Sequence, residues 1–285
     1  MFEILENEVL APNVHRMVIR APRIARVRQP GQFVIVRVEE DGERIPLTIG
    51  DANAAEGTIT LFIQAVGATS LKLVHTSVGG VVQDIAGPLG QPTHIETWGR
   101  VACVGGGLGT AVLYPMAKAL PEAGNQVTTI IGGRSAPYII LDEELGAFSD
   151  EVLVATEDGS AGRKGFVTHV LQDLIEDPAR CPQAVIAIGP VPMMRAVAEV
   201  TRPHGIKTIV SLNPIMIDGT GMCGGCRVQV GDETKFACVD GPEFDGHLVD
   251  FDLLTNRLAM YREDECRMME DLPADLRESI VTVKR

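Results

Sequence analysis

The chain has 285 residues and a formal net charge of −13, from 25 Lys and Arg residues against 38 Asp and Glu residues. Nucleic acids and acidic membrane surfaces attract basic proteins, so this charge disfavours both as partners. Hydrophobic residues make up 45% of the chain, which is enough for packed cores, and the length suits two domains. The first residues are acidic rather than basic and apolar, and no apolar run approaches the roughly 20 residues of a membrane span. We therefore expect a soluble, cytoplasmic protein.

Residues 1–96 have the pattern of a small antiparallel β-barrel. Apolar runs with strand alternation occur at Phe33–Val38 and Thr58–Ile63, and turn signals such as Asp41-Gly42 and Glu56-Gly57 separate them. Short strands at this spacing are typical of a barrel.

Two segments of this region carry hydroxyl groups beside Pro or Gly. The first contains Arg44, Pro46, Leu47 and Thr48, and the second contains Val66, Gly67, Ala68, Thr69 and Ser70. A hydroxyl on a strand, held by a neighbouring Pro, can hydrogen-bond a flat heterocycle. An ordinary strand explains the first segment as well, so this pattern alone does not establish a ligand site.

From Arg100 onward, five apolar strands alternate with helical segments. The predicted strands are Val101–Val104, Val127–Ile131, Val152–Thr156, Ala184–Ile188 and Lys207–Leu212. The predicted helices are Thr110–Leu120, Leu141–Leu145, Val167–Ile175 and one that begins at Val191. This alternation predicts a doubly wound parallel α/β sheet over residues 97–212, with ligand-binding turns at the carboxyl ends of the strands.

Two turns of this domain favour an anionic ligand. The first strand runs into Gly105, Gly106, Gly107, Leu108, Gly109 and Thr110, and the fourth into Gly189, Pro190 and Met193. A glycine-rich turn that opens a helix lets the backbone approach a pyrophosphate, and free N–H groups at the helix start face the anion. The spacing does not match G-x-G-x-x-G, and turns needed only for packing are the alternative for both.

Arg134 follows the second strand, where many dinucleotide-binding proteins place an acidic residue for the ribose. Because Arg can instead bind a 2′-phosphate, the choice between NAD and NADP stays open. A solvated surface residue is the alternative.

The strongest pattern lies in the glycine-rich segment 213–248, where Asp218 precedes Cys223, Cys226 and Cys238. A C-x-x-C pair places two thiolates on one metal centre, and the glycines let the loop wrap it while donating N–H groups to sulfur. The spacing is that of plant-type [2Fe–2S] ligands, except that Asp218 stands first. A zinc site of the three cysteines with His247 is a second interpretation, and three structural thiols are a third.

The last segment, 249–285, returns to helical spacing through Leu253, Leu254, Leu258 and Tyr261. We expect a C-terminal helical segment that is a candidate contact for a partner protein.

In this order and spacing, the motifs make the chain similar to the ferredoxin–NADP reductase superfamily over nearly its whole length. Gly87–Gly90 and Thr156–Gly159 also match. Within the superfamily the chain resembles the electron transfer subunits of dihydroorotate dehydrogenase. It is closer still to the small subunits of NADH-dependent reduced ferredoxin:NADP oxidoreductases, also known as sulfide dehydrogenase subunits.

The resemblance implies the cofactor sites. Pro46, Leu47 and Thr48 would line the flavin of FAD, with Thr48 near its reactive edge and Arg44 beside it. Val66, Gly67, Ala68 and Thr69 would hold the FAD diphosphate. The two turns, with Arg134 and Asp158, would bind NAD(H), with NADP(H) as the alternative. Asp218 and the three cysteines would hold [2Fe–2S].

The resemblance also implies an activity, in which hydride passes from nicotinamide to flavin and single electrons pass through the cluster. In the dihydroorotate branch all four cluster ligands are Cys, whereas Asp218 matches the ferredoxin:NADP branch. That branch implies electron bifurcation in a heterodimer with a larger subunit carrying a second FAD and [4Fe–4S] clusters, with ferredoxin as redox partner. The alternatives are a dihydroorotate dehydrogenase subunit, a stand-alone NADPH-dependent reductase and, from another class, a zinc-stabilised nucleotide-binding regulator without redox chemistry.

Overall fold

A computed structural model describes residues 1–274 and 276. Seven strands form the N-terminal sheet: β1 (Phe2–Ala11), β2 (Val14–Arg20), β3 (Phe33–Arg37), β4 (Arg44–Asn53), β5 (Thr58–Gln64), β6 (Val81–Val82) and β7 (Asp84–Leu89). Two short helices accompany them: α1 (Pro22–Val27) and α2 (Ala68–Val74). The strand order is β6-β1-β2-β5-β4-β3-β7 with antiparallel pairing throughout. Because only Gln83 separates the two end strands, the sheet nearly closes, and the predicted barrel is confirmed.

Strand β3 is apolar on both faces because it borders two cores. Val34 and Val36 point into the barrel core, whereas Phe33 and Ile35 belong to the core shared with the rest of the chain. Side chains of a strand alternate between its faces, so one run of apolar residues serves both. This strand therefore joins the barrel to the C-terminal half of the molecule.

The second sheet begins with β8 (Arg100–Gly106), β9 (Gln126–Gly133), β10 (Glu151–Thr156), β11 (Arg163–Lys164), β12 (Ala184–Ile188) and β13 (Lys207–Ser211). Its helices are α3 (Gly109–Ala119), α4 (Asp142–Gly146), α5 (Val167–Glu176) and α6 (Val191–Thr201). Short 3₁₀ turns cover Pro121–Ala123, Ala136–Tyr138 and Arg202–His204. The order β11-β10-β9-β8-β12-β13 is parallel throughout, and all five predicted strands and the predicted α/β architecture are confirmed.

The C-terminal part contains β14 (Arg227–Val230), β15 (Glu233–Phe236), β16 (Glu243–Asp245), α7 (Phe251–Leu258) and α8 (Arg262–Glu270). Strands β14 and β15 form a hairpin, and β16 adds to the second sheet antiparallel to β13. Strand β16 of the segment 213–248 thus extends the α/β sheet. The two-residue β11 and three-residue β16 escaped prediction because such short strands show no periodicity.

The predicted C-terminal helical segment forms two helices with a break at 259–261. Asp250 caps the first of them by accepting a hydrogen bond from the Leu253 N–H at 2.8 Å. Beyond α8, Leu272 is buried in the barrel core. Most of residues 275–285 lie outside the described part of the chain. In the described part, the structure contains no helix with the length and apolar character that crossing a membrane requires.

Candidate functional site

The cysteine loop brings two of its three thiols together. The sulfur atoms of Cys226 and Cys238 are 3.3 Å apart and both residues are buried, whereas Cys223 is exposed. Burial, followed by the hydrogen bond with Cys226, raises the pKa of Cys238 to about 12. The thiol is therefore neutral in the metal-free protein, and a bound metal has to displace its proton.

Asp218 is anchored at the start of this loop. Its Oδ1 accepts from the Thr220 N–H at 2.9 Å, and its Oδ2 accepts from the Cys223 N–H at 2.8 Å. These backbone hydrogen bonds, that of Thr220 first, lower the pKa of Asp218, so the carboxylate is ionised. A carboxylate has about four acceptor positions, so oxygen lone pairs remain for a metal.

The backbone of the loop is shaped by glycines with positive φ: Gly219 at +73°, Gly221 at +83° and Gly224 at +67°. Only glycine adopts this region at little cost. The Gly225 N–H lies 3.4 Å from the Cys223 sulfur, which is the kind of donor that tunes iron–sulfur clusters. The donor set, three cysteines and one carboxylate in a loop that supplies N–H groups to sulfur, fits a [2Fe–2S] cluster.

The structure does not support the zinc interpretation with His247. The Nε2 atom of His247 is 2.9 Å from the Thr201 hydroxyl of α6, so the ring is engaged away from the cysteines. Within residues 1–274 and 276, no three His, Cys, Asp or Glu side chains surround a single ion position. A single zinc ion needs its ligands within about 2.0–2.3 Å, whereas a two-iron cluster divides its ligands between two metals.

The candidate flavin strand β4 presents two of its predicted side chains on one face. Thr48 pairs with Phe33 and Pro46 with Ile35, whereas the Leu47 side chain packs against the barrel core. Pro46 and Thr48 thus lie on the outer face, and Leu47 can offer a flavin only its backbone. Arg44 is exposed at the start of the strand.

Ser70 fixes the backbone of the candidate diphosphate segment, residues 66–69. Its hydroxyl oxygen accepts from the N–H groups of Val66 at 3.1 Å and Gly67 at 3.0 Å, which ties back the turn before α2. Thr69 donates its hydroxyl to the Glu43 carboxylate at 2.5 Å. Ala68 and Thr69 form the first turn of α2. An anion bound there has to share Thr69 with Glu43, a feature that the sequence pattern did not reveal.

The glycine-rich turn after β8 owes most of its glycines to packing. A Cβ atom on Gly109 would lie 2.1 Å from the Ile188 carbonyl oxygen, and one on Gly106 would lie 2.4 Å from the Met193 sulfur. A Cβ on Gly105 would meet Thr110 at 2.8 Å. Gly107 differs, because it has φ +55° and open space where its Cβ would be.

The same contacts bring the turn after β8 and the turn after β12 together at the carboxyl ends of these strands. Leu108 and Pro190 stand at the N-terminal ends of α3 and α6, and no side chain caps either helix. Strands β8 and β12 are neighbours at the point where the strand order reverses. In α/β sheets, nucleotides bind in the crevice at that switch point. Two uncapped helix starts at this crevice fit a pyrophosphate.

Arg134 and Asp158 meet at the carboxyl ends of β9 and β10, where the Asp158 N–H donates to the Arg134 carbonyl at 3.2 Å. Ser160 donates both its N–H and its hydroxyl to the Asp158 carboxylate, which lowers the pKa of Asp158. An acidic residue at the end of β10 thus lies beside the end of β9, where the sequence itself has none.

The cluster loop and the flavin strand are separated by one strand. A Cβ on Gly219 would lie 2.6 Å from Leu89 and 2.9 Å from Ile35, so the loop packs directly on β7 and β3. Ile35 pairs in turn with Pro46 of β4. Neighbouring strands lie about 4.8 Å apart, so this arrangement keeps the two candidate sites close. The contact could not be found from the sequence, because Gly219 and Ile35 are distant in the chain.

Comparisons with known proteins agree with this geometry. Residues 213–250 match the iron-sulfur cluster binding domain of dihydroorotate dehydrogenase B. A Thermotoga maritima protein named as a homolog of the dihydroorotate dehydrogenase B (NAD(+)) electron transfer subunit is 48% identical over 263 residues, 92% of each chain. The electron transfer subunit of Bacillus caldolyticus is 33% identical over 250 residues, 85% of this chain and 94% of its own. The chain belongs to the family of dihydroorotate dehydrogenase B electron transfer subunits.

One solved structure of high similarity concerns flavin-based electron bifurcation by the NADH-dependent reduced ferredoxin-NADP oxidoreductase. Its chain aligns at a TM-score of 0.90 and 46% identity, covering 95% of this chain and 97% of its own. The predicted resemblance and fold are therefore confirmed. Members of this family are named as electron transfer subunits, that is, as one chain of a larger enzyme.

Proposed function

We propose that the chain passes electrons between NAD(H), FAD and a [2Fe–2S] cluster. The observation that carries this proposal is the contact of the Asp218 loop with β3, one strand away from the candidate flavin residues of β4. Cys226 and Cys238 share a hydrophobic core with Phe33 and Ile35 of β3, so the candidate cluster ligands lie close to the candidate flavin strand. An electron-transfer chain requires that proximity.

The cofactors would carry out the electron transfer, and the protein would bind and orient them. When bound, FAD accepts hydride from the nicotinamide and the cluster carries single electrons. The chain would contribute binding and orientation: Thr48 and Arg44 would lie at the flavin, the start of α2 would hold the diphosphate, and the two turns at the switch point would hold the nucleotide. Excluding water from these contacts strengthens them.

We further propose that the chain is the small subunit of an NADH-dependent reduced ferredoxin:NADP oxidoreductase. The support is the similarity to that enzyme's structure and Asp218 in the first ligand position. The partner would then be a larger subunit with a second FAD and [4Fe–4S] clusters, and ferredoxin would exchange electrons with the complex. The alternative, a dihydroorotate dehydrogenase subunit, is favoured by the match of residues 213–250.

The test of cofactor content is a visible spectrum of anaerobically purified protein, with flavin, iron and sulfide analysis. We expect one flavin and about two irons per chain, and bleaching of the spectrum by NADH. A colourless protein that contains zinc would overturn the function and leave the fold standing.

The test of the partner is co-purification of the tagged chain from its native host, followed by assays of the complex. Reduction of NADP coupled to NADH and reduced ferredoxin would support the bifurcating enzyme. Oxidation of dihydroorotate by the same complex would favour the alternative instead.

The ligand role of Asp218 has a separate test in Asp218→Cys and Asp218→Ala. Asp218→Cys is expected to retain iron with a shifted midpoint potential, because thiolate is a softer donor than carboxylate. Asp218→Ala is expected to lose iron. Wild-type potential and iron content in both variants would show that Asp218 only shapes the loop.

A further inference from the structure

Arg257, in the last turn of α7, reaches the cysteine loop from outside it. One of its terminal nitrogens, Nη2, donates to the carbonyl oxygen of Gly225 at 2.9 Å. Gly225 lies between Cys223 and Cys226, and its own N–H is directed at the Cys223 sulfur. One side chain thus holds the peptide segment that carries two of the candidate ligands.

Among residues 1–274 and 276, the guanidinium of Arg257 has no carboxylate partner. Its Nε atom is buried without a hydrogen-bond partner among the described residues. In the same part of the chain, Arg257 forms no ion pair. It lines a cavity of about 30 Å³ with apolar neighbours, among them Ile215, Ile217 and Tyr261. A partly buried cation in apolar surroundings is costly unless a negative group lies near it.

The proposed cluster is such a negative group. A [2Fe–2S] cluster with three thiolates and one carboxylate carries a net charge of about −2 when oxidised and about −3 when reduced. A nearby cation stabilises both states, and it stabilises the reduced state more because that state has the larger negative charge. Polarisation of the Gly225–Cys226 peptide by the guanidinium acts in the same direction, since it strengthens the Cys226 N–H as a donor.

We propose that Arg257 is a positioning residue for the cluster, holding the Cys223–Cys226 loop and supplying the counter-charge that raises the cluster's reduction potential. This assignment rests on the proposed function, since it requires that the loop bind iron. Helix α7 then has a role beyond packing, because it places the positive charge of Arg257 beside the cysteine loop.

The test is a redox titration of the cluster, followed by electron paramagnetic resonance, in wild type and two variants. Arg257→Gln removes the charge but keeps a donor for Gly225, and Arg257→Lys keeps the charge. We expect Arg257→Gln to be about tenfold less reduced at a given potential, which is about 59 mV for one electron. Arg257→Lys should titrate close to wild type.

The matched control is Arg227→Met. Arg227 is exposed and reaches the same loop, since its Nη1 would lie 3.0 Å from a Cβ on Gly224. Solvent screens an exposed charge, so the expected shift is well below that of Arg257→Gln. An equal shift in this control would show that any positive charge near the loop has the same effect, and would overturn the assignment.

The remaining outcomes are also decisive. A wild-type potential in Arg257→Gln would overturn the assignment, as would an equally large shift in Arg257→Lys. If Arg257→Gln binds flavin but no iron, a Lys variant with iron and a wild-type potential supports the role. Loss of iron, flavin and cooperative melting in both variants would show that Arg257 supports the overall fold instead. A wild-type protein without iron would refute the proposed function itself, and the assignment with it.

Discussion

Two glycine-rich segments of this chain have different physical origins. In the turn at residues 105–110, a Cβ on Gly109 or Gly105 would collide with backbone atoms of Ile188 or Thr110, and one on Gly106 would displace the Met193 side chain. Any α/β protein of this shape could have such packing demands. In the loop at residues 218–226, three glycines have positive φ, and N–H groups of the loop are directed at Asp218 and at the Cys223 sulfur. Glycine content by itself is therefore weak support for a ligand, and the direction of the polar groups beside it is the stronger observation.

The largest expected effect tests the loop. Cys226→Ser replaces a buried thiol whose sulfur lies 3.3 Å from that of Cys238. Because serine is a poor iron ligand, we expect nearly all iron to be lost while flavin binding and the fold persist. The measurement is iron and flavin content per chain.

Cys181→Ser is the matched control for this variant, since Cys181 is partly buried and lies outside the loop. It should keep its iron. A Cys226→Ser protein with full iron content would remove the distinction between the two glycine-rich segments, because the loop would then also be explained without a ligand.

The next effect tests the turn with a matched pair of variants. Gly109→Ala would place a methyl group 2.1 Å from a backbone oxygen that cannot move cheaply, and we expect the free energy of unfolding to fall by about 3 kcal/mol. Gly107→Ala has open space and only the cost of φ +55°, about 1 kcal/mol. Chemical denaturation measures both.

NADH binding is a second measurement on Gly107→Ala, the variant with the smaller expected loss of stability. Gly107 is the position of the turn where glycine is not explained by packing, and its N–H already donates to the Gly132 carbonyl at 2.9 Å. Its open face is therefore the part that we expect to meet the nucleotide. Gly107→Ala should weaken NADH binding more than its small stability loss explains. If NADH affinity is unchanged in Gly107→Ala, the whole turn is a packing feature.

Much of this fold could be predicted because its periodicities are local. The five strands from Val101 to Leu212 and the barrel pattern are written in runs of apolar residues that need no knowledge of the partner strand. The ligand loop was also found from spacing. The contacts on which the proposals rest were not found, because they join distant segments: Gly219 with Ile35, Glu43 with Thr69, and Arg257 with Gly225. Nothing in the spacing of a single segment reports such contacts.

A comparable effect concerns the contact between the barrel and the segment that carries the cluster loop. Glu243 of β16 accepts a hydrogen bond from Thr93 at 2.5 Å, and burial raises the pKa of Glu243 from 4.5 to about 7. Between pH 4.5 and 7 the unfolded chain releases this proton while the folded chain keeps it. The free energy of unfolding therefore falls as the pH rises through this window.

Glu243→Gln mimics the protonated carboxyl group and removes this loss. We expect the variant to be more stable than wild type by about 3 kcal/mol at pH 8, and nearly equally stable near pH 4.5. Thermal unfolding at the two pH values checks this. Glu56→Gln, at an exposed turn, should change neither value. A wild-type pH dependence in Glu243→Gln would mean that the junction carries no buried proton.

The smallest expected effect extends the comparison to the third candidate ligand segment, at the start of α2. There the polar groups point in a direction that opposes the predicted ligand, since Thr69 donates to the Glu43 carboxylate. A diphosphate at this position would meet a carboxylate beside it.

Glu43→Gln removes the negative charge and frees the Thr69 hydroxyl, so we expect FAD to bind about fivefold tighter, on the order of 1 kcal/mol. Titration of the flavin-free protein with FAD measures the change. Glu39→Gln is a suitable control, because Glu39 pairs with Lys72, which lies on the exposed side of α2. Weaker binding in Glu43→Gln would mean that Glu43 holds Thr69 in the orientation that FAD requires, and that the pair is part of the site rather than an obstacle to it.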